Sequence, residues 1–68
     1  MELTIKVNPA FYDGDCIKET LQAFHDVCTG TFENNILVLT PKTDDIATKL
    51  KYEFFNYVLA LMKNKSVV

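Results

Sequence analysis

The C-terminal helix predicted for this chain is apolar on most of its circumference. Two rows of apolar side chains run along residues 46–62 at helical spacing. The first row contains Ile46, Leu50, Phe54, Tyr57 and Leu61, and the second contains Tyr52, Phe55, Leu59 and Met62. A helix that covers the sheet of a small domain needs only one such row. The second row therefore predicts that another surface, on a partner or on a second copy of the chain, contacts this helix.

Apolar spacing and turn residues place the elements before this helix. Leu3, Ile5 and Val7 alternate with polar residues, which predicts a strand with one buried face. The apolar positions that follow predict a first helix over residues 16–28, which Gly30 ends as a left-handed residue.

A hairpin is predicted in the middle of the chain. Two short segments with strand-forming residues, 31–33 and 36–40, flank Asn34 and Asn35. Asparagine tolerates positive φ, so this pair is suited to a tight turn. Pro41 ends the second arm because proline has no N–H to donate to a strand ladder.

The order strand, helix, strand, strand, helix predicts a single α+β domain over residues 1–68. A right-handed crossover and the hairpin place the third strand between the other two. The expected fold is a two-layer β-α-β-β-α arrangement with a three-stranded antiparallel or mixed sheet in order 1-3-2 and two helices on one face. This layout is ferredoxin-like but lacks the last strand. Residues 65–68, after the last helix, are expected to be frayed.

Two features of this predicted sheet indicate a partner. The third strand, residues 36–39, is apolar on both faces, whereas a sheet with one solvated face alternates. The first strand is an open edge that another chain could extend.

Length and cysteine content indicate the environment. A chain of 68 residues buries about 60% of the surface that its unfolded form exposes, so its stability is marginal without support. Cys16 and Cys28 lie on one predicted helix about 18 Å apart, whereas a disulfide needs Cα atoms within about 7 Å. Two free thiols, no secretion signal and no apolar run of about 20 residues predict a cytoplasmic protein that does not span a membrane.

Charge argues against a nucleic-acid partner. The net charge is −2, and the chain has seven Lys, no Arg and no basic run. The outward face of the predicted sheet would carry Thr4, Lys6 and Asn8, together with either Leu37 and Leu39 or Ile36 and Val38. It offers no aromatic side chain on which a base could stack. An apolar outer face suits a protein partner better.

No catalytic, metal or cofactor site is expected. His25 and Cys28 are three residues apart on the predicted helix, but no other His or Cys can complete a metal site with them. A packed or solvated histidine and a core cysteine explain this pair better than a reactive thiolate. Helix capping likewise explains the four acidic residues that a cation could otherwise bind, which are Asp13, Asp15, Asp44 and Asp45.

Two polar residues interrupt the apolar part of the last helix. Glu53 and Asn56 lie one turn apart. They mark a narrow solvated strip that Ala60 and Lys63 complete, or they make directional hydrogen bonds within an apolar interface.

The same segment carries a family resemblance. The run EFFNYVL at residues 53–59 resembles the acidic, aromatic, Asn and Leu pattern near the end of the small HxsD proteins of the His-Xaa-Ser peptide-modification system. The upstream order is also similar over most of the chain, with a short strand before Phe11 and Tyr12 and a Thr-Pro-Lys strand end at 40–42. Both cysteines and His25 lie outside the pattern. The resemblance implies an accessory protein that works beside radical SAM maturation enzymes on a His-Xaa-Ser repeat peptide, without catalytic residues of its own.

These observations predict a non-catalytic interaction module. It would self-associate as a homo-oligomer such as a homodimer, or dock a larger protein, through the last helix and the exposed sheet face. The expected interface residues are Tyr52, Phe55, Leu59 and Met62, with Glu53 and Asn56 giving orientation. The alternative is a peptide-binding chaperone that uses the open edge of the first strand, and a third hypothesis is a small enzyme that uses His25 or Cys28.

Overall fold

The computed structural model describes residues 2–65, which form three strands and two helices. In chain order these are β1 (Leu3–Lys6), α1 (Gly14–Ala23), β2 (Cys28–Glu33), β3 (Ile36–Pro41) and α2 (Asp44–Asn64). The α+β class predicted from the order of elements is confirmed.

The sheet has the predicted strand order, with β3 in the centre between β1 and β2. β3 is antiparallel to both neighbours, so β1 and β2 run parallel to each other on opposite edges. Leu37 and Leu39 of β3 are fully buried, and they belong to the same core cluster as the buried residues of both helices. One face of the sheet therefore carries both helices.

The hairpin between β2 and β3 turns at the two predicted asparagines. Asn34 and Asn35 have φ values of 52° and 63°, which is the left-handed backbone that a two-residue turn between twisted strands requires. The turn also holds the end of β1, because the Val7 N–H donates to the Asn35 carbonyl at 2.7 Å.

The boundary between α1 and β2 differs from the prediction. α1 ends at Ala23 rather than at residue 28, and Cys28 is the first residue of β2. Cys28 is paired with Pro41 of β3, so a ladder with a distant segment sets the start of this strand. The two cysteines therefore do not share a helix, and the predicted separation of about 18 Å along one helix is wrong. Both thiols are nevertheless free and buried.

Gly30 is not the left-handed residue that ends a helix. It lies inside β2 beside Leu39, and its φ is not positive. A β-carbon at this position would lie 2.7 Å from Leu21 Cδ2 of α1. Glycine is needed here because α1 approaches the strand closely.

The buried row of α2 also differs from both predicted rows. Every fourth residue faces the core, and these residues are Leu50, Phe54, Val58 and Met62. Tyr57 is 41% exposed instead, with its ring against that of Phe24 at 5.6 Å. The row follows the ridge that α2 presents to its neighbours in the fold, α1 and β3.

The outer face of the sheet is less apolar than predicted. Ile36 is 43% exposed and Val38 is half-buried. The register surrounds this pair with polar residues of the neighbouring strands, which are Thr4, Lys6, Thr29, Thr31 and Glu33. Two apolar side chains within a polar face do not form a large apolar surface.

Lys65 follows the last residue of α2. The Lys65 N–H donates to the Leu61 carbonyl at 3.0 Å, and Lys65 Nζ lies 3.0 Å from Glu19 Oε1 of α1. Residues 66–68 lie outside the described residues, and the fraying expected for residues 65–68 stays a prediction. Within residues 2–65, neither helix is both long and apolar enough to cross a bilayer.

Candidate functional site

The two helices cover the sheet unevenly. α2 packs against α1 and β3, whereas in the described part of the chain no Cα atom of α2 lies within 8 Å of a Cα atom of β1. Leu3 and Ile5 of β1 are consequently half-buried, although Leu39 and Leu37, which they face across the ladder, are fully buried. The inner face of β1 is the part of the sheet that the helices leave open.

A groove of about 350 Å³ occupies this opening. One wall is formed by β1 and the residue after it, through Ile5, Lys6 and Val7, and Tyr12 closes it from the loop before α1. The other wall is α2. We call this site the β1–α2 groove.

Five residues of α2 line the second wall, and these are Lys51, Tyr52, Phe55, Asn56 and Leu59. Tyr52 and Leu59 are 74% and 42% exposed, and both line the groove. The spacing of three and four residues from Tyr52 to Phe55 to Leu59 places all three on one side of the helix.

An aromatic pair connects Tyr12 with the α2 wall of the groove. The rings of Tyr12 and Phe55 lie 5.0 Å apart at 55°, and Phe55 also contacts the buried Phe54 at 5.7 Å. Asn8 positions Tyr12, because its carbonyl accepts the Tyr12 N–H and its side chain accepts the Ala10 N–H. A rigid turn therefore holds one side of the groove.

The edge of β1 offers hydrogen-bonding groups along the groove. In an antiparallel ladder, directly opposed residues alternate between hydrogen-bonded pairs and pairs whose N–H and C=O groups point away from each other. The Val7 N–H donates to Asn35, so the hydrogen-bonded pairs continue at Ile5 and Leu3. The N–H and C=O groups of Thr4 and Lys6 consequently point away from β3 and out of the sheet edge.

Two of the residues that line the groove are lysines, Lys6 and Lys51, and none of the described lining residues is acidic. Lys51 belongs to α2, whereas the side chain of Lys6 points from the edge of β1 to the outer face of the sheet. The chain as a whole has a net charge of −2, so the charge of the lining residues is opposite in sign to that of the whole chain.

A second depression of about 390 Å³ continues past the end of β1. It shares Lys6 and Val7 with the groove and extends to Asn8 and to the hairpin residues Asn34 and Asn35. The two depressions therefore meet at the end of β1.

The structure brings together four of the six predicted interface residues, and these are Tyr52, Phe55, Asn56 and Leu59. Glu53 is exposed but does not line the groove. The prediction for Met62 was wrong, because this side chain is 5% exposed and belongs to the core.

Five other lining residues were missed as site residues, and these are Ile5, Lys6, Val7, Tyr12 and Lys51. The open edge of the first strand and the second row of the last helix were both recognised in the sequence. A sequence pattern does not show that these two features face each other.

The two candidates for catalysis, His25 and Cys28, do not line the groove. His25 is exposed in the turn after α1, where Nδ1 donates to the Gln22 carbonyl at 2.8 Å and Nε2 lies 3.1 Å from Asp26. Cys28 is buried, and burial raises the pKa of its thiol, an effect that nearby Lys42 partly opposes. A nucleophilic cysteine requires a lowered pKa and access to solvent, and Cys28 has neither.

The other cysteine and the acidic residues also have structural roles. Burial raises the pKa of the Cys16 thiol, and a hydrogen bond with Asp13 raises it further. Asp13 Oδ2 accepts the Cys16 N–H at 3.2 Å and so caps α1. The other three acidic residues are not caps: Asp15 lies in the first turn of α1, and Asp44 and Asp45 lie in the first turn of α2. Negative charge is favourable there because of the helix dipole. Within residues 2–65, no three His, Cys, Asp or Glu side chains are placed to hold one metal ion.

Comparisons of the chain with models of protein families, with curated proteins and with solved structures found no match. The resemblance to the HxsD proteins rests on residues 53–59 and the upstream order of elements, and it stays a prediction.

Proposed function

We propose that this chain is a non-catalytic protein-binding module whose binding surface is the β1–α2 groove. One observation carries the proposal: the open backbone edge of β1 and the exposed side chains of Tyr52 and Leu59 line the same groove. Backbone groups supply affinity for another polypeptide, and apolar side chains supply buried area.

The chemistry of the groove suits a polypeptide better than other ligands. Nucleic acid requires clustered basic residues and stacking platforms along a groove, and two lysines are too few for this role. A metabolite site has a small number of convergent polar groups in a closed pocket, whereas here the outer parts of Tyr52 and Leu59 remain in solvent. An extended or helical protein segment can cover both residues at once.

The proposal includes the absence of catalysis. The buried thiols have raised pKa values, and His25 lies in an exposed turn outside the groove. These placements support binding as the activity of the chain.

The resemblance to the HxsD proteins supports a more specific form of the proposal. In that form the bound segment belongs to a precursor peptide or to a radical SAM maturation enzyme, and this chain is an accessory protein. Phe55, Asn56 and Leu59 of the resembling run line the groove.

Selection of random peptides displayed on phage tests the proposal. We expect peptides enriched on the native chain to lose binding at least about tenfold to Leu59→Ser, because that change removes apolar contact area from the groove. Ile36→Ser is the matched control, since Ile36 is equally exposed but lies on the outer face of the sheet. It should bind the peptides as the native chain does.

Light scattering over a concentration series tests self-association through the same groove. A native mass larger than that of one chain indicates self-association. If Leu59→Ser lowers this mass and Ile36→Ser does not, the ligand of the groove is a second copy of the chain. The proposal is contradicted if no peptide is enriched and the native chain is a monomer. It is also contradicted if no peptide is enriched and Leu59→Ser and Ile36→Ser change the native mass equally.

A further inference from the structure

The ligand of the β1–α2 groove can be described more closely from the geometry of its walls. We infer that the groove binds an extended segment that pairs antiparallel with β1 as a fourth strand, with apolar side chains facing α2 and an acidic side chain opposite Lys6. This inference rests on the proposed function of the groove and specifies the ligand class.

The backbone of β1 determines the form of the ligand. The N–H and C=O groups of Thr4 and Lys6 point out of the sheet edge and match the groups of a strand laid alongside. Antiparallel addition is favoured because its hydrogen bonds are straighter than those of parallel addition. A helix has no unpaired backbone groups along its length to satisfy this edge.

The faces of β1 determine the side-chain pattern. Ile5 and Val7 point to the helix side of the sheet, while Thr4 and Lys6 point to the outer face. An added strand continues these two faces, so its inward side chains would lie beside Ile5, on the side of the sheet from which Phe55 and Leu59 line the groove. Those positions must be apolar and must alternate with polar ones.

Charge determines which polar residue is preferred. The side chain of Lys6 points from the edge of β1 to the outer face of the sheet, where the polar side chains of an added strand would also lie. A lysine on an edge strand opposes pairing with apolar or basic strands, and it favours a strand with a carboxylate directly opposite. The inferred ligand is therefore an acidic, alternating segment.

An N-methylated peptide series tests the inference. The probe is a short acetylated peptide that alternates valine with threonine and has aspartate at its central polar position. In antiparallel pairing, the amides that face β1 belong to residues opposite Thr4 and Lys6, which are the polar positions of the peptide. We expect N-methylation of the polar positions to abolish binding and N-methylation of the valines to leave it within about twofold.

Nuclear magnetic resonance of the isotope-labelled full chain supplies the second measurement. On binding, the amides of Thr4 and Lys6 should gain protection from hydrogen exchange, and the signals of Phe55 and Leu59 should shift. The Lys6→Glu variant should bind the aspartate probe about three- to tenfold more weakly than the native chain does. The same variant should bind more tightly a probe in which lysine replaces that aspartate. Lys63→Glu, on the same protein but outside the groove, is the control and should change neither affinity.

The outcomes separate this inference from the proposed function. Loss of binding on methylating the valines, equal loss with both sets, or no binding of the probe at millimolar concentration overturns the inference. Shifts at Leu59 without protection of Thr4 and Lys6 also overturn it, although the groove would still be a protein-binding site. Failure of the phage selection and of the light-scattering test is what contradicts the proposed function itself.

Discussion

Gly30 allows α1 to pack closely against the sheet. A β-carbon at Gly30 would lie 2.7 Å from Leu21 Cδ2 and 2.8 Å from the Val38 carbonyl oxygen. The leucine side chain can rotate, but the carbonyl belongs to the central strand and cannot move without disturbing the ladder. The φ angle of Gly30 is one that other residues can adopt, since it is not positive. Glycine is needed because a β-carbon has no room between Leu21 and the Val38 carbonyl.

We expect Gly30→Ala to lower the free energy of unfolding by about 1–3 kcal/mol because it overpacks this contact. Gly14→Ala is the matched control, since its β-carbon would lie 3.4 Å from Phe32 Cε2 at the start of α1. That variant should change stability by no more than about 1 kcal/mol. Urea denaturation measures both, and equal stability of the two variants would show that α1 does not lie this close to β2.

At the scale of elements, the hairpin is the part whose local sequence agrees best with its structure. Asn34 and Asn35 both adopt left-handed backbone, and the strands on either side pair in the register that this turn sets. The residue-by-residue alternation of β2 was a usable signal as well, since Thr29, Thr31 and Glu33 face outward. The apolar spacing of residues 17–28 also fits a helix, so the predicted first helix included the start of β2.

The second residue of the turn should rank glycine above asparagine above alanine. Asn35→Gly should stabilise the protein by about 0.5 kcal/mol, because glycine adopts positive φ without steric cost. Asn35→Ala should destabilise it by about 1 kcal/mol, since its β-carbon opposes left-handed backbone. Thermal unfolding followed by circular dichroism provides the ranking. The bond from Val7 to the Asn35 carbonyl uses backbone atoms and is retained in both variants, so an alanine variant as stable as the glycine variant would contradict the turn conformation.

At the scale of the whole molecule, the buried thiols link stability to pH. Burial raises the pKa of both Cys16 and Cys28. Unfolded thiols ionise from about pH 8.5, before the folded thiols do. The unfolded state therefore binds fewer protons than the folded state in this range, and stability must fall as pH rises.

We expect the free energy of unfolding to be constant with respect to these thiols below about pH 8 and to decrease from about pH 8.5 upward. The Cys16→Ala, Cys28→Ala double variant should be less stable at neutral pH but should show a shallower decrease. Lys65, whose pKa the hydrogen bond with Glu19 raises, is retained in both proteins and titrates at higher pH. Urea denaturation with reductant at several pH values measures the slopes, and parallel slopes would rule out the thiols as the cause.

The groove belongs to this largest scale too, because no single element contains it. β1 contributes the edge, α2 contributes Tyr52 and Leu59, and the loop held by Asn8 contributes Tyr12. Each part has an ordinary role by itself. Their combination depends on how far α2 lies from β1.

Local chemistry was enough to predict the elements, the turn and the strand order. Alternation identifies β1, the asparagine pair identifies the turn, and the short connections leave one economical order for three strands. The start of β2 and the core-facing row of α2 required the tertiary structure. Pairing of Cys28 with Pro41 competes with extension of α1, and packing on α1 and β3 selects Val58 and Met62 over Tyr57. Both outcomes depend on free energies of contact between segments distant in the chain, and local spacing does not contain them.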